Sequence, residues 1–182
     1  MAGMRILLAF LACLALAACG PRDNRSDLEK LTAFHRQVIA LDRQVHTASA
    51  AYTRSSGAAL DHHDNAALAA AAQHFAGTLS TILPRAQALD VPRFDNSDAE
   101  RAAGRAAAAL VAAVRARRDA ANAVRAMADP HDPAPNEIAA VAAARDASNS
   151  ADVAETSSII AAYGALDIRP NHVDMQAGGV KP

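Results

Sequence analysis

The chain has 182 residues, of which 18 are basic and 19 acidic, so its formal net charge is −1. This balance argues against a nucleic-acid partner, because such proteins concentrate Lys and Arg on one face. Aromatic residues make up 3 % of the chain and Trp is absent, which argues against a sugar site built on exposed rings.

The N-terminus has the order of a secretory signal. A short segment with one positive charge, Arg5, precedes an apolar run of eleven residues over 6–16, and the small residues Ala17 and Ala18 follow. A transmembrane helix needs about 20 apolar residues. The pattern therefore predicts a cleaved signal peptide over residues 1–18 rather than a membrane span.

The end of this segment, Leu16-Ala17-Ala18-Cys19, resembles a lipobox, the site that the lipoprotein signal peptidase recognises. The resemblance covers residues 1–19 only. It implies cleavage before Cys19, diacylglycerol on the Cys19 sulfur and subsequent N-acylation, which together would anchor the chain in a membrane. Gly20 stands where many lipoproteins carry the Asp of inner-membrane retention. The resemblance therefore implies the periplasmic face of an outer membrane.

An anchor of this kind would hold the domain close to the lipid. Residues 19–25 are the lipidated Cys and a short polar tether, which at about 3.3–3.6 Å per residue spans under roughly 20 Å. Two or more acyl chains give stable attachment. Cys13 would leave with the signal and Cys19 would be acylated, so the mature domain would have neither a free thiol nor a disulfide.

Helical periodicity dominates the remaining chain, and the alternation typical of strands is absent. Segment one is predicted over about 27–55, from apolar residues spaced three and four apart. Ser26 and Glu29 have the spacing of a capping box, and Gly57 is a candidate helix end.

Segments two and three continue the helical pattern. Segment two is predicted over about 61–89, with a kink or an early end near Leu83, because Pro84 lies inside it. Segment three is predicted over about 98–128, with Ser97 and Glu100 as a second capping box.

Segment four is predicted over about 136–163, closed by Gly164, and residues 168–182 form a loose tail. Its predicted inner face consists of Ile138, Val141, Val153, Ile160 and Tyr163. Short connections make neighbouring helices antiparallel. The sequence therefore predicts an all-α, Ala-rich, up-down-up-down four-helix bundle over residues 26–167.

Four polar residues interrupt the predicted core faces of segments three and four: Arg117, Arg145, Asn149 and Asp152. Such interruptions mark places where function or strain is expected. One interpretation is a satisfied structural network that fixes the helix register. The other is a pocket for a small anionic or polar ligand, with Arg117 and Arg145 as donors.

Histidines offer a metal-site hypothesis. The predicted register places His46, His74 and Asp152 at one height, and two His with one carboxylate can bind a divalent metal. Against this, both histidines lie on the flanks of their helices, and nearby arginines would repel a cation. His62 and His63 could chelate a metal at the surface, although their neighbour Asp61 or Asp64 is more simply a helix cap.

Catalytic motifs are absent from the sequence. Serines occur without the Gly-x-Ser-x-Gly turn of a nucleophile, and the four glutamates are scattered along the chain. The sequence therefore predicts a membrane-anchored envelope lipoprotein without a resident cofactor that acts as a structural, accessory or protein-interaction module for an envelope partner. The alternative is a periplasmic bundle that binds a small ligand or a metal through the polar layer.

Overall fold

The computed structural model describes residues 26–128 and 135–168, with the backbone alone for 135–138. This part of the chain is all-α and forms a four-helix bundle. The helices are α1 (Asp27–Asp61), α2 (Asn65–Gln87), α3 (Ser97–Met127) and α4 (Pro135–Ala165). The predicted signal peptide, the Cys19 anchor and the tail beyond residue 168 lie outside the described residues.

The predicted capping box of α1 is confirmed. The Ser26 hydroxyl accepts a hydrogen bond from the Glu29 amide at 3.3 Å, and the Glu29 carboxylate accepts one from the Ser26 amide at 3.2 Å. Gly57 does not end the helix, which continues to Asp61. A glycine in a helix interior costs only about 1 kcal/mol relative to Ala, and the surrounding alanines carry the helix past it.

The turn between α1 and α2 is only three residues long, and each residue has a structural role. His62 caps the C-terminus of α1, His63 adopts a left-handed conformation with φ of 52°, and Asp64 caps α2. The Asp64 carboxylate accepts from the Ala67 amide at 2.9 Å. This cap explains why α2 begins at Asn65 rather than at Asp61.

Two further predictions about helix ends are wrong, the early end of α2 near Leu83 and the Ser97 cap of α3. α2 passes Pro84 and ends at Gln87, because the proline lies in the last turn, where few backbone hydrogen bonds remain to be lost. At α3 the cap is Asn96, whose side chain accepts from the Asp98 and Ala99 amides at 2.8 and 3.3 Å. Ser97 is therefore the first helical residue, and the Glu100 carboxylate accepts instead from the Phe94 amide.

Side-chain contacts show that α1 and α2 run in opposite directions, as do α3 and α4. Between α1 and α2, Tyr52 stacks on Phe75, with ring centroids 4.8 Å apart, and Gln44 accepts from Arg85 at 2.6 Å. Between α3 and α4, the Asn96 side chain donates to the Ala165 carbonyl at 2.6 Å, and Arg117, later in α3, donates to Asp152, earlier in α4.

The helices do not pack equally. α3 and α4 share the most extensive interface, α2 packs on both α1 and α3, and α1 contacts α4 only sparsely. Large side chains from α1, α2 and α3 fill the core, and those almost fully excluded from solvent are Leu31, Phe34, Val38, Val45, Leu79, Leu110 and Val114. Alanines line most of the α3 contribution, which permits close helix approach.

The predicted inner face of α4 is correct at Tyr163 and wrong at Val153 and Ile160. Val153 is 67 % exposed and Ile160 is also exposed, whereas Ile159, Ala162 and Tyr163 are buried. Apolar residues are spread around all sides of α4, so their pattern does not distinguish the packed side from the solvent side. Gly164 is helical as well, and Asp167 takes the left-handed conformation, with φ of 54°, just beyond the helix.

Candidate functional site

An ion pair joins α3 to α4 in the middle of the bundle. Arg117 donates from its two terminal nitrogens to the two carboxylate oxygens of Asp152, at 3.1 and 2.6 Å. The Arg117 side chain is 16 % exposed and that of Asp152 is 38 % exposed. A two-point contact of this kind fixes the relative orientation of both groups.

Further titratable groups surround this pair where α1 faces α4. Asp42 and Glu155 interact electrostatically with each other, with Asp152 and with Arg117. On the outer side, His46 Nε2 lies 3.3 Å from the Asp42 carboxylate, one turn along α1. We call Asp42, His46, Arg117, Asp152 and Glu155 the seam cluster.

The carboxyl groups of Asp42 and Glu155 resist ionisation. Burial is the largest cause that raises the pKa of Glu155 to about 8; the negative charges of Asp42 and Asp152 add to this rise, and Arg117 opposes it. Burial likewise raises the pKa of Asp42, while His46 and Arg117 oppose the shift and Asp152 adds to it. At neutral pH Glu155 therefore carries a proton, as expected for a carboxyl group withdrawn from water.

The structure separates Arg145 and Asn149 from this pair, which corrects the predicted polar layer. Both side chains are exposed, and both line a surface depression that also contains Met127 and Asp146. α3 alone covers most of α4, so the positions beside that contact remain in solvent. Of the four predicted residues, only Arg117 and Asp152 meet.

His46 and His74 do not come together as the predicted metal site requires. His46 is 62 % exposed and pairs with Asp42, while His74 lies on the opposite side of α1, in a groove shared with α2. His62 and His63 are exposed residues of the α1–α2 turn. Among residues 26–128 and 135–168, no group of three or more His, Cys, Asp or Glu could hold a metal ion.

The groove between α1 and α2 was not predicted from the sequence. It encloses about 700 Å³, with an apolar floor that includes Tyr52, Phe75 and Ile82. Arg43 and His74 lie at its edge, and its lining contains no acidic side chain. By length and composition alone, α2 is long and apolar enough to cross a membrane. This is weak evidence for a membrane span, because the core helix of a soluble protein passes the same test.

Sequence reasoning also missed Glu155 and Asp42. Glu155 continues the row of buried α4 residues formed by Ser148, Ala151, Ser158 and Ala162 at intervals of three and four. A correct orientation of α4 would have revealed a glutamate within its packed face. Asp42 lies beside the buried residues Val38, Leu41 and Val45. An acidic residue at the margin of an apolar helix face is common, so the sequence alone did not mark Asp42 as a site residue.

Besides the seam cluster and the α1–α2 groove, the surface of α4 that faces away from α3 is a third candidate site. Between residues 150 and 164 its exposed side chains are all uncharged and mostly small: Ser150, Val153, Ala154, Ser157, Ile160, Ala161 and Gly164. Their spacing of three and four places them on one side of the helix. We call this surface the α4 outer face.

Comparisons with protein-family models, with curated proteins and with solved structures gave no match to this chain.

Proposed function

We propose that this protein is a membrane-anchored envelope lipoprotein whose bundle serves as a non-catalytic interaction module for an envelope protein. Lipid on Cys19 would hold it at the membrane, with the periplasmic face of the outer membrane as the proposed location. The observation that carries the interaction role is the α4 outer face, which leaves Val153 67 % exposed on an uncharged surface. Exposed apolar surfaces of this kind are typical of protein interaction sites.

The proposed occupant is a helix with a similarly small and uncharged surface. Small side chains allow two helices to approach closely, and the absence of charge makes a charged partner surface unfavourable, because its ions would lose water without gaining a counter-ion. The α4 outer face reaches Gly164, close to the start of α1, since His35 of α1 contacts Tyr163 at 3.1 Å. The surface therefore lies at the end where the tether enters the bundle.

Site-specific crosslinking in cells tests the interaction role. A photo-crosslinking residue at position 157, within the α4 outer face, should capture a defined partner protein. Ala154→Glu should abolish that product, because it places a charge in the contact. Ala108→Glu, at an exposed alanine of α3, is the matched control and should preserve it. Crosslinks to lipid alone, to a second copy of the chain alone, or to a product indifferent to Ala154→Glu would refute the proposed partner.

The anchor has a separate test. Cys19→Ser should block both lipid attachment and cleavage, leaving a longer precursor that takes up no labelled fatty acid. Normal processing of this variant would contradict the lipoprotein proposal without bearing on the α4 outer face.

Ligand binding is a second candidate function, favoured by the α1–α2 groove rather than by the predicted polar layer. An apolar floor with Arg43 and His74 at the edge and no acidic lining residue suits an anionic amphiphile such as a long-chain fatty acid. Titration of a fluorescent fatty acid tests it. Saturable binding that Ala51→Glu removes and Ala108→Glu retains would support this role, and binding unaffected by Ala51→Glu would exclude the groove.

A further inference from the structure

α1 meets α4 at two places, the seam cluster and the contact of His35 with Tyr163. The two helices contact each other sparsely, while α3 covers α4 extensively and α2 covers α1. Nearer the start of α1, His35 of α1 and Tyr163 of α4 share a hydrogen bond of 3.1 Å and an edge-to-face ring contact. Further along α1, Asp42 faces Asp152 and Glu155 of α4. α4 therefore depends on α3 more than on α1 for its packing.

In the seam cluster the acidic side chains outnumber the basic ones. α1 contributes Asp42 and His46, α3 contributes Arg117, and α4 contributes Asp152 and Glu155. Both terminal nitrogens of Arg117 are engaged by Asp152. α2 does not pack against α4. Three carboxyl groups thus face one arginine and one largely exposed histidine.

A proton on Glu155 removes one negative charge from this group. Because burial and the neighbouring carboxylates raise the pKa of Glu155 to about 8, the proton is present at neutral pH and lost in a mildly alkaline medium. The resulting carboxylate would be partly buried and would interact with the charges of Asp42 and Asp152, while both terminal nitrogens of Arg117 are engaged by Asp152. Like charges repel more strongly where burial reduces their contact with water.

We propose that the contact between α1 and α4 is a proton-controlled latch, closed while Glu155 is protonated and loosened when Glu155 ionises. Loss of the proton gives Glu155 and Asp42 the same charge across the seam, and the sparse packing there allows the helices to separate. α2 and α3 keep their contacts, so the bundle stays folded while the seam opens. This inference does not depend on the proposed function.

Backbone hydrogen exchange tests the latch. The full chain and its Glu155→Gln variant, both in detergent, are compared at the same pH, so that the intrinsic pH dependence of exchange cancels. At about pH 9, wild-type peptides spanning 36–50 and 148–160 should exchange roughly tenfold faster than those of the variant, since Glu155 is then mostly ionised. At about pH 6 the two proteins should agree within about twofold.

Two controls separate the latch from a general charge effect. Asp146→Asn removes an exposed carboxylate from α4 and should exchange like wild type at both pH values. Peptides from the α2–α3 interface, spanning 70–83, should show no difference between wild type and Glu155→Gln. Equal exchange of the seam peptides in the wild type and Glu155→Gln at about pH 9 would overturn the proposal.

A second measurement requires no variant. The chain has four glutamates, Glu29, Glu100, Glu137 and Glu155, so selective ¹³C labelling gives four carboxyl signals. One should titrate near pH 8, as expected for Glu155, together with the backbone amide signals of Asp42 and His46. Four signals that all titrate near the ordinary value, or an alkaline titration without any change in the α1 amides, would refute the latch even if Glu155→Gln failed to fold.

Discussion

The ion pair between Arg117 and Asp152 is open to a double-mutant cycle. Arg117→Met keeps most of the aliphatic side chain, and Asp152→Asn keeps the shape of the acid, so the comparison concerns charge and hydrogen bonding more than packing. Arg117→Met should be the more damaging single change, because it leaves Asp152 beside Asp42 without the cation that both carboxylates face. We expect it to lower the free energy of unfolding by about 2–3 kcal/mol.

The coupling energy follows from the geometry. A charged two-point contact at 3.1 and 2.6 Å can contribute about 3 kcal/mol when it is fully buried. Asp152 is 38 % exposed, and water weakens the interaction accordingly. The expected coupling is therefore about 1–2 kcal/mol, with Asp152→Asn alone costing about 1 kcal/mol, since Arg117 still faces Asp42.

Urea unfolding at neutral pH, followed by circular dichroism, measures all four corners of the cycle. The double variant should be less destabilised than the sum of the single variants by the coupling energy. A coupling below about 0.5 kcal/mol would show that the contact contributes no more than an exposed surface pair, and the proposed role in fixing the register of α3 against α4 would fail. A weaker coupling in high salt would show that solvent reaches the pair.

Three further predictions concern folding stability and use the same denaturation assay. Leu79→Ala should lower the free energy of unfolding by about 2–5 kcal/mol because Leu79 is fully buried, whereas the matched change at the exposed Leu60 should cost under about 0.5 kcal/mol; equal effects would contradict the described core. Ser26→Ala should cost about 1 kcal/mol by removing the observed cap of α1, and no loss would indicate that this first turn is frayed. The folded-state pKa of Glu155, about 8, exceeds its ordinary value of 4.5, so its stabilising effect is complete below about pH 4.5 and is lost as the pH rises to about 8. Between these limits the wild type should lose up to about 5 kcal/mol more than Glu155→Gln, because the difference between pKa values of about 8 and 4.5 corresponds to about 1.4 kcal/mol per pH unit. Parallel pH profiles would contradict the assignment.

The sequence predicted the helices better than their orientation. α1 is strongly amphipathic, and its apolar residues at intervals of three and four identify the side that is buried: Leu31, Phe34, Val38, Leu41 and Val45. The periodicity is decisive there because large apolar residues alternate with charged ones. The local hydrogen bonds of Ser26 and Glu29 were predictable for a similar reason, since a capping box requires only a short spacing.

α4 shows where this reasoning fails. It has few charged residues, and alanine is equally acceptable on a packed side and in solvent, so its sequence does not define an inner face. Only contact with α3 determines its orientation. Because the orientation of α4 was predicted wrongly, Val153 and Ile160 were assigned to the interior and Glu155 was not recognised as a residue of the packed side. The α1–α2 groove was unpredictable for another reason, since it depends on the spacing between two helices rather than on the pattern within either.

The two proposals for α4 concern opposite sides of the helix and can therefore be separated. Glu155 continues the row of buried residues that faces α3 and α1, whereas Ala154 lies among the exposed residues of the outer face. If partner binding depended on opening of the seam, Glu155→Gln would alter crosslinking from position 157 in alkaline medium. The outer face is already exposed while the seam is closed, so crosslinking should be unchanged by Glu155→Gln, and the exchange behaviour of the seam should be unchanged by Ala154→Glu. A dependence of either measurement on the other variant would show that movement of α1 is transmitted through α4 to its outer surface.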